Sequence, residues 1–348
     1  MMNLASFDAQ VDPGRDDPGR QKENGRMTPI SATLSRRGRA ILPVLATIAA
    51  AALAPGAPAQ QPDRKGAPMQ AATGAARTPR ATVMLADYRY DDLLWENDRT
   101  AHRIYGHALE AAEPPSGSGI DSWGKNVRWP FADRQLRTGD QHAYHGEGID
   151  FYNVGTTRGA GGLGIWHDNK LWTSRNFVRH RILASGGDRA DFTVDYAPWP
   201  VDTVRKVWET RRFTLPLGTH FTRMVSTLSS DRAEPLLVGI GIGKHTTGQG
   251  AGELTVDRAR GLLSWWGPDD PGHGRIAIAI RVDPRMIAEV RADADNQLVL
   301  LRVTPGTPFV YYSGSAWSHG EGDFRTRAQW DDYARGAALD FTIPKAGQ

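Results

Sequence analysis

The sequence predicts an all-β fold: a large antiparallel β-sandwich with one C-terminal helix. Three observations predict it. From residue 81 onward, short runs alternate apolar with polar residues, these runs end in Gly, Pro, Asp or Asn, and a single stretch carries a helical period. The clearest strand is 191–196, which sends Phe192, Val194 and Tyr196 to one face and Asp191, Thr193 and Asp195 to the other. Similar runs follow at 204–213, 221–228, 275–282 and 297–303. Ser185-Gly186-Gly187-Asp188 reads as a hairpin turn, and Asp293-Ala294-Asp295-Asn296 as a weaker one. The helix is expected over 326–338, where Trp330, Tyr333, Ala334 and Ala337 share an apolar face. A dozen or more short strands with one terminal helix make a sandwich rather than an α/β protein.

Two glycine-rich stretches imitate nucleotide motifs. Gly159-Ala160-Gly161-Gly162-Leu163-Gly164 has dinucleotide-binding spacing, yet a strand-and-turn pattern follows where that site needs a helix N-terminus. Residues 239–244 lack phosphate-loop spacing, and His245 stands where Ser or Thr would bind magnesium. The first match is accidental, and the second stretch reads as a strand ending in a loop. In Arg179-His180-Arg181 the alternation separates His180 from both arginines, which suits a solvated face better than a carboxylate-binding cleft.

Composition divides the chain. All eleven Trp and ten His lie beyond residue 94, and residues 1–80 hold one aromatic, Phe7. Arg36, Arg37 and Arg39 precede an apolar run over 40–53, then Ala57-Pro58-Ala59 gives the pattern a signal peptidase cuts. The expected organisation is an over-long start at 1–26, a signal peptide at 27–59, a flexible leader at 60–80 rich in Ala, Pro, Gly and Gln, and one β-sandwich domain at 81–348. The expected location is the periplasm or the exterior. Residues 1–59 hold seven Lys/Arg and five Asp/Glu, which leaves 35 against 34 in the remainder. The basic pI therefore gives no argument for a nucleic-acid partner, and no run of 18 apolar residues spans a membrane. With no cysteine, the exported chain must rely on its core rather than on disulfides.

Three polar, aromatic clusters interrupt the alternation. The first joins Trp95-Glu96-Asn97-Asp98-Arg99 to Arg103-Ile104-Tyr105-Gly106, a density of polar groups that is costly unless exposed or paired. The second, 118–125, brings Asp121, Trp123 and Lys125 into one glycine-flanked segment. The third runs His142-Ala143-Tyr144-His145-Gly146-Glu147-Gly148-Ile149-Asp150-Phe151-Tyr152, with two imidazoles, two carboxylates and two phenols on a backbone that glycine frees to turn. His145 is the expected base, oriented by Glu147 or Asp150 if the glycines bring one of them back. His142, His145 and Glu147 would also suit a divalent metal, the one cofactor this pattern allows, given a further ligand from elsewhere. Near the C-terminus, Trp317 and His319 repeat the style of aromatic platform beside an imidazole, and Trp and Tyr faces stack on sugar rings.

At these residues the chain resembles an exported bacterial family, domain of unknown function 4861, often encoded beside genes for degrading pectin and other uronate polysaccharides. The resemblance runs through Trp95-Glu96-Asn97-Asp98-Arg99 with Arg103-Ile104-Tyr105-Gly106, Gly119-Ile120-Asp121 with Trp123 and Lys125, His145-Gly146-Glu147-Gly148 with Asp150 and Tyr152, and Tyr312, Gly314, Trp317 and Trp330. His102 and His107 stand where less polar residues are expected. The resemblance implies a secreted, carbohydrate-linked role and a galactose-mutarotase-like sandwich, and it brings no catalytic assignment with it.

The expected function is an exported enzyme that cleaves uronate-containing oligosaccharides by β-elimination or hydrolysis. Elimination must neutralise a carboxylate (Lys125, Arg99, Asn97), abstract the neighbouring proton (His145) and protonate the leaving oxygen (Tyr144, Tyr152 or Glu147). Hydrolysis instead needs two carboxylates, for which Glu147 with Asp150 or Asp121 are the candidates. Trp123, Trp317 and His319 would contact the sugar. The alternative is a non-catalytic saccharide-binding protein that uses the same residues.

Overall fold

The computed structural model describes residues 77–244 and 250–343. The expected start, signal peptide and most of the leader lie outside them, as does His245. Three antiparallel sheets organise the described residues. The first is small, with order β1 (Thr82–Ala86), β2 (Asp92–Glu96), β3 (Ala101–Ile104), β4 (Asp121–Lys125) and β5 (Gly148–Ile149). The other two form the sandwich. Their strands are β6 (Ala160–His167), β7 (Lys170–Trp172), β8 (Arg179–Ala184), β9 (Arg189–Val201), β10 (Arg205–Pro216), β11 (Phe221–Ser230), β12 (Leu236–Gly243), β13 (Glu253–Asp257), β14 (Leu262–Trp266), β15 (Ile276–Val282), β16 (Ile287–Ala292), β17 (Asn296–Val303) and β18 (Phe309–Trp317). An eight-stranded sheet ordered β13-β14-β15-β18-β11-β10-β9-β8 faces a five-stranded sheet ordered β16-β17-β12-β6-β7.

The alternation read from sequence is what fills this sandwich. Phe192, Val194 and Tyr196 are buried from β9, beside Phe213 of β10 and Met224 of β11, and they share a core with Val238, Ile240 and Leu301 of the facing sheet. Each alternating run identified above lies in an observed strand. The two glycine-rich stretches lie in β6 and β12, and the 185–188 turn joins β8 to β9. β8 is exposed along nearly its whole length, so Arg179 and Arg181 stand in solvent.

The helix appears as α3 (Arg327–Gly336), after α1 (Leu109–Ala112) and α2 (Ala132–Arg137), two short helices that lack an apolar period and were not anticipated. Thr326 caps α3, accepting from the Gln329 amide while the Gln329 side chain returns to the Thr326 amide. Trp330 and Ala334 seal the outer face of the eight-stranded sheet against Leu262, Trp266 and Ala279. This second cover explains why β14, β15 and β18 are buried on both faces rather than alternating.

The small sheet is likewise covered twice. Leu93, Trp95 and Ile104 join the main core, while Leu94, Ala101 and Trp123 pack under α2 through Phe131 and Leu136. Replacing Trp330 by Ala should remove the plug over β14 and β15 and cost about 3–5 kcal/mol, whereas Thr326→Ala should cost about 0.5–2 kcal/mol. Urea denaturation of the two variants measures both.

Candidate active site

The outer face of the small sheet carries a row of charges that the pleat dictates. Leu94 of β2 pairs with Arg103 of β3, and Arg103 pairs with Asp121 of β4. Residues two apart on a strand share a face, so Asp92, Leu94 and Glu96 lie on the side of Arg103, and so do Asp121, Trp123 and Lys125. Two buried ionic groups result.

In one, Lys125 Nζ lies 2.6 Å from Glu96 Oε2 and donates to the Trp129 carbonyl at 2.6 Å. Glu96 also accepts from the amides of Phe131 and Ala132, which fastens the start of α2. Burial depresses the Lys125 ammonium, with Glu96 opposing. Lys125 therefore has its carboxylate inside the chain, and the role of neutralising a substrate acid passes from it.

In the other, Arg103 Nη2 contacts Asp121 Oδ2 at 2.9 Å and Asp150 Oδ2 at 3.1 Å, and Nη1 stands 4.0 Å from Asp92 Oδ2. The guanidinium also lies 5.0 Å from the Tyr105 ring centroid and 5.3 Å from that of Trp123. Burial works against the Arg103 charge, but Asp121, Tyr105, Asp150 and Asp92 outweigh it and hold the guanidinium protonated. Arg103 faces three carboxyls, with Arg89 as a second cation nearby, and burial dominates how two of them respond. Burial raises Asp92 to about 6 against the pull of Arg103. Burial, then the neighbouring Asp121 charge, hold Asp150 well above the usual carboxylate range. The Asp150 carboxyl therefore holds its proton to higher pH than an ordinary aspartate.

A cavity of about 480 Å³ opens onto this group. Arg103, Tyr105, Asp121, Asp150 and Phe151 line its floor, with Arg89, Glu113 and His142 toward the mouth. The Arg89 guanidinium is 2.7 Å from Glu113. His142 is exposed, its Nδ1 2.8 Å from the Asp150 carbonyl and 3.9 Å from Asp150 Oδ2.

Glycines bring Asp150 here. Gly146 adopts φ +95° and turns the chain, and a Cβ on Gly148 would lie 2.4 Å from both the Phe131 ring and the Gly124 carbonyl. The expected turn therefore forms but orients different groups. Asp150 points inward to Arg103, whereas His145 is exposed with Nε2 3.0 Å from the Asp140 carbonyl rather than on a carboxylate. Glu147 is held by Arg134 at 2.9 Å and by the Trp129 indole at 2.6 Å. The Tyr144 hydroxyl accepts from Asn126 and donates to the Gly146 carbonyl. Expected metal ligation by His142, His145 and Glu147 is corrected accordingly: each has a different partner, and among the described residues no group of three or more His, Asp or Glu is placed to hold a metal ion.

The remaining expected contacts fall on both sides of the cavity wall. Asp121 and Tyr152 line it. Tyr152 donates to the Gly243 carbonyl at 3.3 Å, and burial raises its phenol. Asn97 is buried, donating to the carbonyls of Pro216 and Thr219 and accepting from the amides of Arg99 and Thr100, so it pins a turn. Arg99 pairs with Asp98 at 3.3 Å. The Trp123 indole donates to Asp121 at 2.9 Å from within the α2 core, so it orients that carboxylate instead of stacking on a ligand. Trp317 is buried and donates to the His273 carbonyl at 2.6 Å, with the exposed His319 ring beside it. Arg103, Tyr105 and His142, which stand in the polar clusters without an expected substrate contact, line the cavity, and Asp92, which belongs to none of those clusters, approaches Arg103 at 4.0 Å.

The family described as "Domain of unknown function (DUF4861)" matches residues 40–344 of the chain. The chain belongs to that family. "Uncharacterized protein P7" of Formosa agariphila is 28% identical over 261 residues, covering 70% of this DUF4861 chain and 64% of that relative, so the chain spans less than two thirds of its length. Among solved structures, the galactosidase domain of alpha-galactosidase-sucrose kinase AgaSK superposes with TM-score 0.32 at 9% identity, over 68% of this chain and 42% of that one. The 4-alpha-glucanotransferase of Thermococcus litoralis gives 0.34 at 11% identity, over 69% and 39%.

The protonation pattern separates two otherwise similar substitutions. Asp150, whose carboxyl is held above the usual range, should lose less on replacement by Asn than Asp121, whose replacement by Asn leaves Arg103 buried with its tightest partner gone and should cost about 3–5 kcal/mol. Urea unfolding decides. Asp92, usual value 3.8 and about 6 in the fold, binds more protons folded than unfolded between those values, so its contribution to stability falls as pH rises through that window. The decline from pH 4 to 7 should therefore be shallower in Asp92→Asn than in the parent, by on the order of 1–3 kcal/mol.

Proposed function

We propose that the protein is an exported carbohydrate-active hydrolase whose cavity uses Asp150 as general acid and Asp121 as the partner carboxylate. The observation that carries the reading is the pair on Arg103: Asp150, whose carboxyl burial holds well above the usual range, and Asp121, with oxygens within 3.1 Å of the same guanidinium nitrogen. Glycoside cleavage needs an acid that keeps its proton near neutral pH to protonate the leaving oxygen, and a carboxylate to meet the developing positive charge at the anomeric carbon. Tyr105 and Phe151 supply apolar walls, and the partly polar lining suits a hydroxyl-rich ligand.

Charge argues for a neutral sugar unit at the floor. Elimination from a uronate requires a cation free to neutralise the substrate acid. Arg103 already holds Asp121 and Asp150, and Arg89 holds Glu113. Hydrolysis is therefore favoured over β-elimination.

Incubation with neutral and uronate-bearing oligosaccharides, reading both new reducing ends and absorbance of an unsaturated product, tests this. Expected are reducing ends without absorbance. Asp150→Asn should lower turnover by about 10²–10⁴, His145→Ala should leave it near the parent's, and the rate should fall on the alkaline side as Asp150 ionises. Absorbance with intact activity in Asp150→Asn would overturn the assignment. Binding with no turnover would favour the non-catalytic alternative.

A further inference from the structure

The cavity ends at a ring that belongs to a larger aromatic group. Phe151 lines the cavity, and its ring centroid lies 5.7 Å from that of His273 and 6.2 Å from that of Trp317. Around Trp317 two further rings gather, Tyr144 at 6.0 Å and His319 at 5.3 Å. Three segments distant in sequence meet here: the turn before β5, the β14–β15 connection and the β18–α3 connection.

The burial of this group is uneven. Trp317 is 4% exposed and serves as the seat, while Tyr144 is 48% exposed, the His273 side chain 35% exposed, and His319 exposed as well. Two of the outer rings are also held at their polar ends, and His319 rests against Trp317. Tyr144 is fixed through its hydroxyl to Asn126 and Gly146, and His273 Nδ1 lies 2.8 Å from Asp270 Oδ1. Fixed ring faces open to water lose little rotamer freedom when a ligand lies on them, and they attract the weakly positive C–H face of a pyranose.

We infer that a saccharide chain leaves the cavity across Phe151 and lies on Tyr144, His273 and His319, so that the ligand is an oligosaccharide gripped at two places rather than a single sugar. This rests on the saccharide reading of the cavity. The platform sets affinity for the distal units and takes no part in bond cleavage.

Calorimetric titration of Asp150→Asn with gluco-, galacto- and galacturono-oligosaccharides of two and six units tests it, alone and with Tyr144→Ala or His319→Ala added. The expected result is that one series binds and its six-unit member binds roughly tenfold more tightly than its two-unit member. Either added substitution should remove most of that difference, leaving the short ligand and the circular dichroism spectrum unchanged. Equal affinity for both lengths, or equal weakening of both by Tyr144→Ala, overturns the platform and leaves the cavity reading standing. If no series binds at either length, the saccharide reading fails and the platform with it.

Discussion

Arg103 is the constraint on which the rest of the site depends. A guanidinium taken out of water is costly unless it is paired, and here the pleat of β2, β3 and β4 provides Asp92 and Asp121 while the turn before β5 delivers Asp150. Burial of the third acid, reinforced by the neighbouring Asp121 charge, raises the Asp150 carboxyl well above the usual range, so the geometry that makes Arg103 tolerable also makes Asp150 a weaker acid. Structure and chemistry are here a single electrostatic balance.

Lys125 and Glu96 show what the same face does without that third acid. They pair one to one, and the remaining Glu96 lone pairs are taken by the amides that begin α2. The group is closed on itself, and its task is to hold α2 over Trp123 and Leu94. Trp123 then connects the two groups, packing under α2 while its indole holds the Asp121 carboxylate that Arg103 also grips. A substitution in the α2 core would thus reach the cavity through one hydrogen bond.

The sandwich serves as a rigid support. Its three longest strands, β9, β10 and β11, keep strict enough alternation to fill the core from one side, while β18 lies under both the main core and α3 and ends at Trp317. Gly124 of β4 packs against that indole so closely that a Cβ would lie 2.7 Å from it. The small sheet and the aromatic group beside the cavity are therefore seated on the same strand end.

The sequence by itself determined the fold class, because alternation and turn residues are local signals: the 191–196 run, the 185–188 turn and the capped helix around Trp330 each carry their own pattern. It also singled out Asp121, Asp150 and Tyr152, which the structure places on the cavity wall. Only the tertiary structure decided which polar residues meet. Asp92, Arg103 and Asp121 become neighbours through strand register, which no local spacing records, and α1 and α2 form without a helical period because their burial against other elements substitutes for it. His145 stood out because glycines and acids surround it in sequence. The chain turns at Gly146 and sends His145 to solvent and Asp150 to Arg103, because the buried cation, far away in sequence, is where a second carboxyl has a partner.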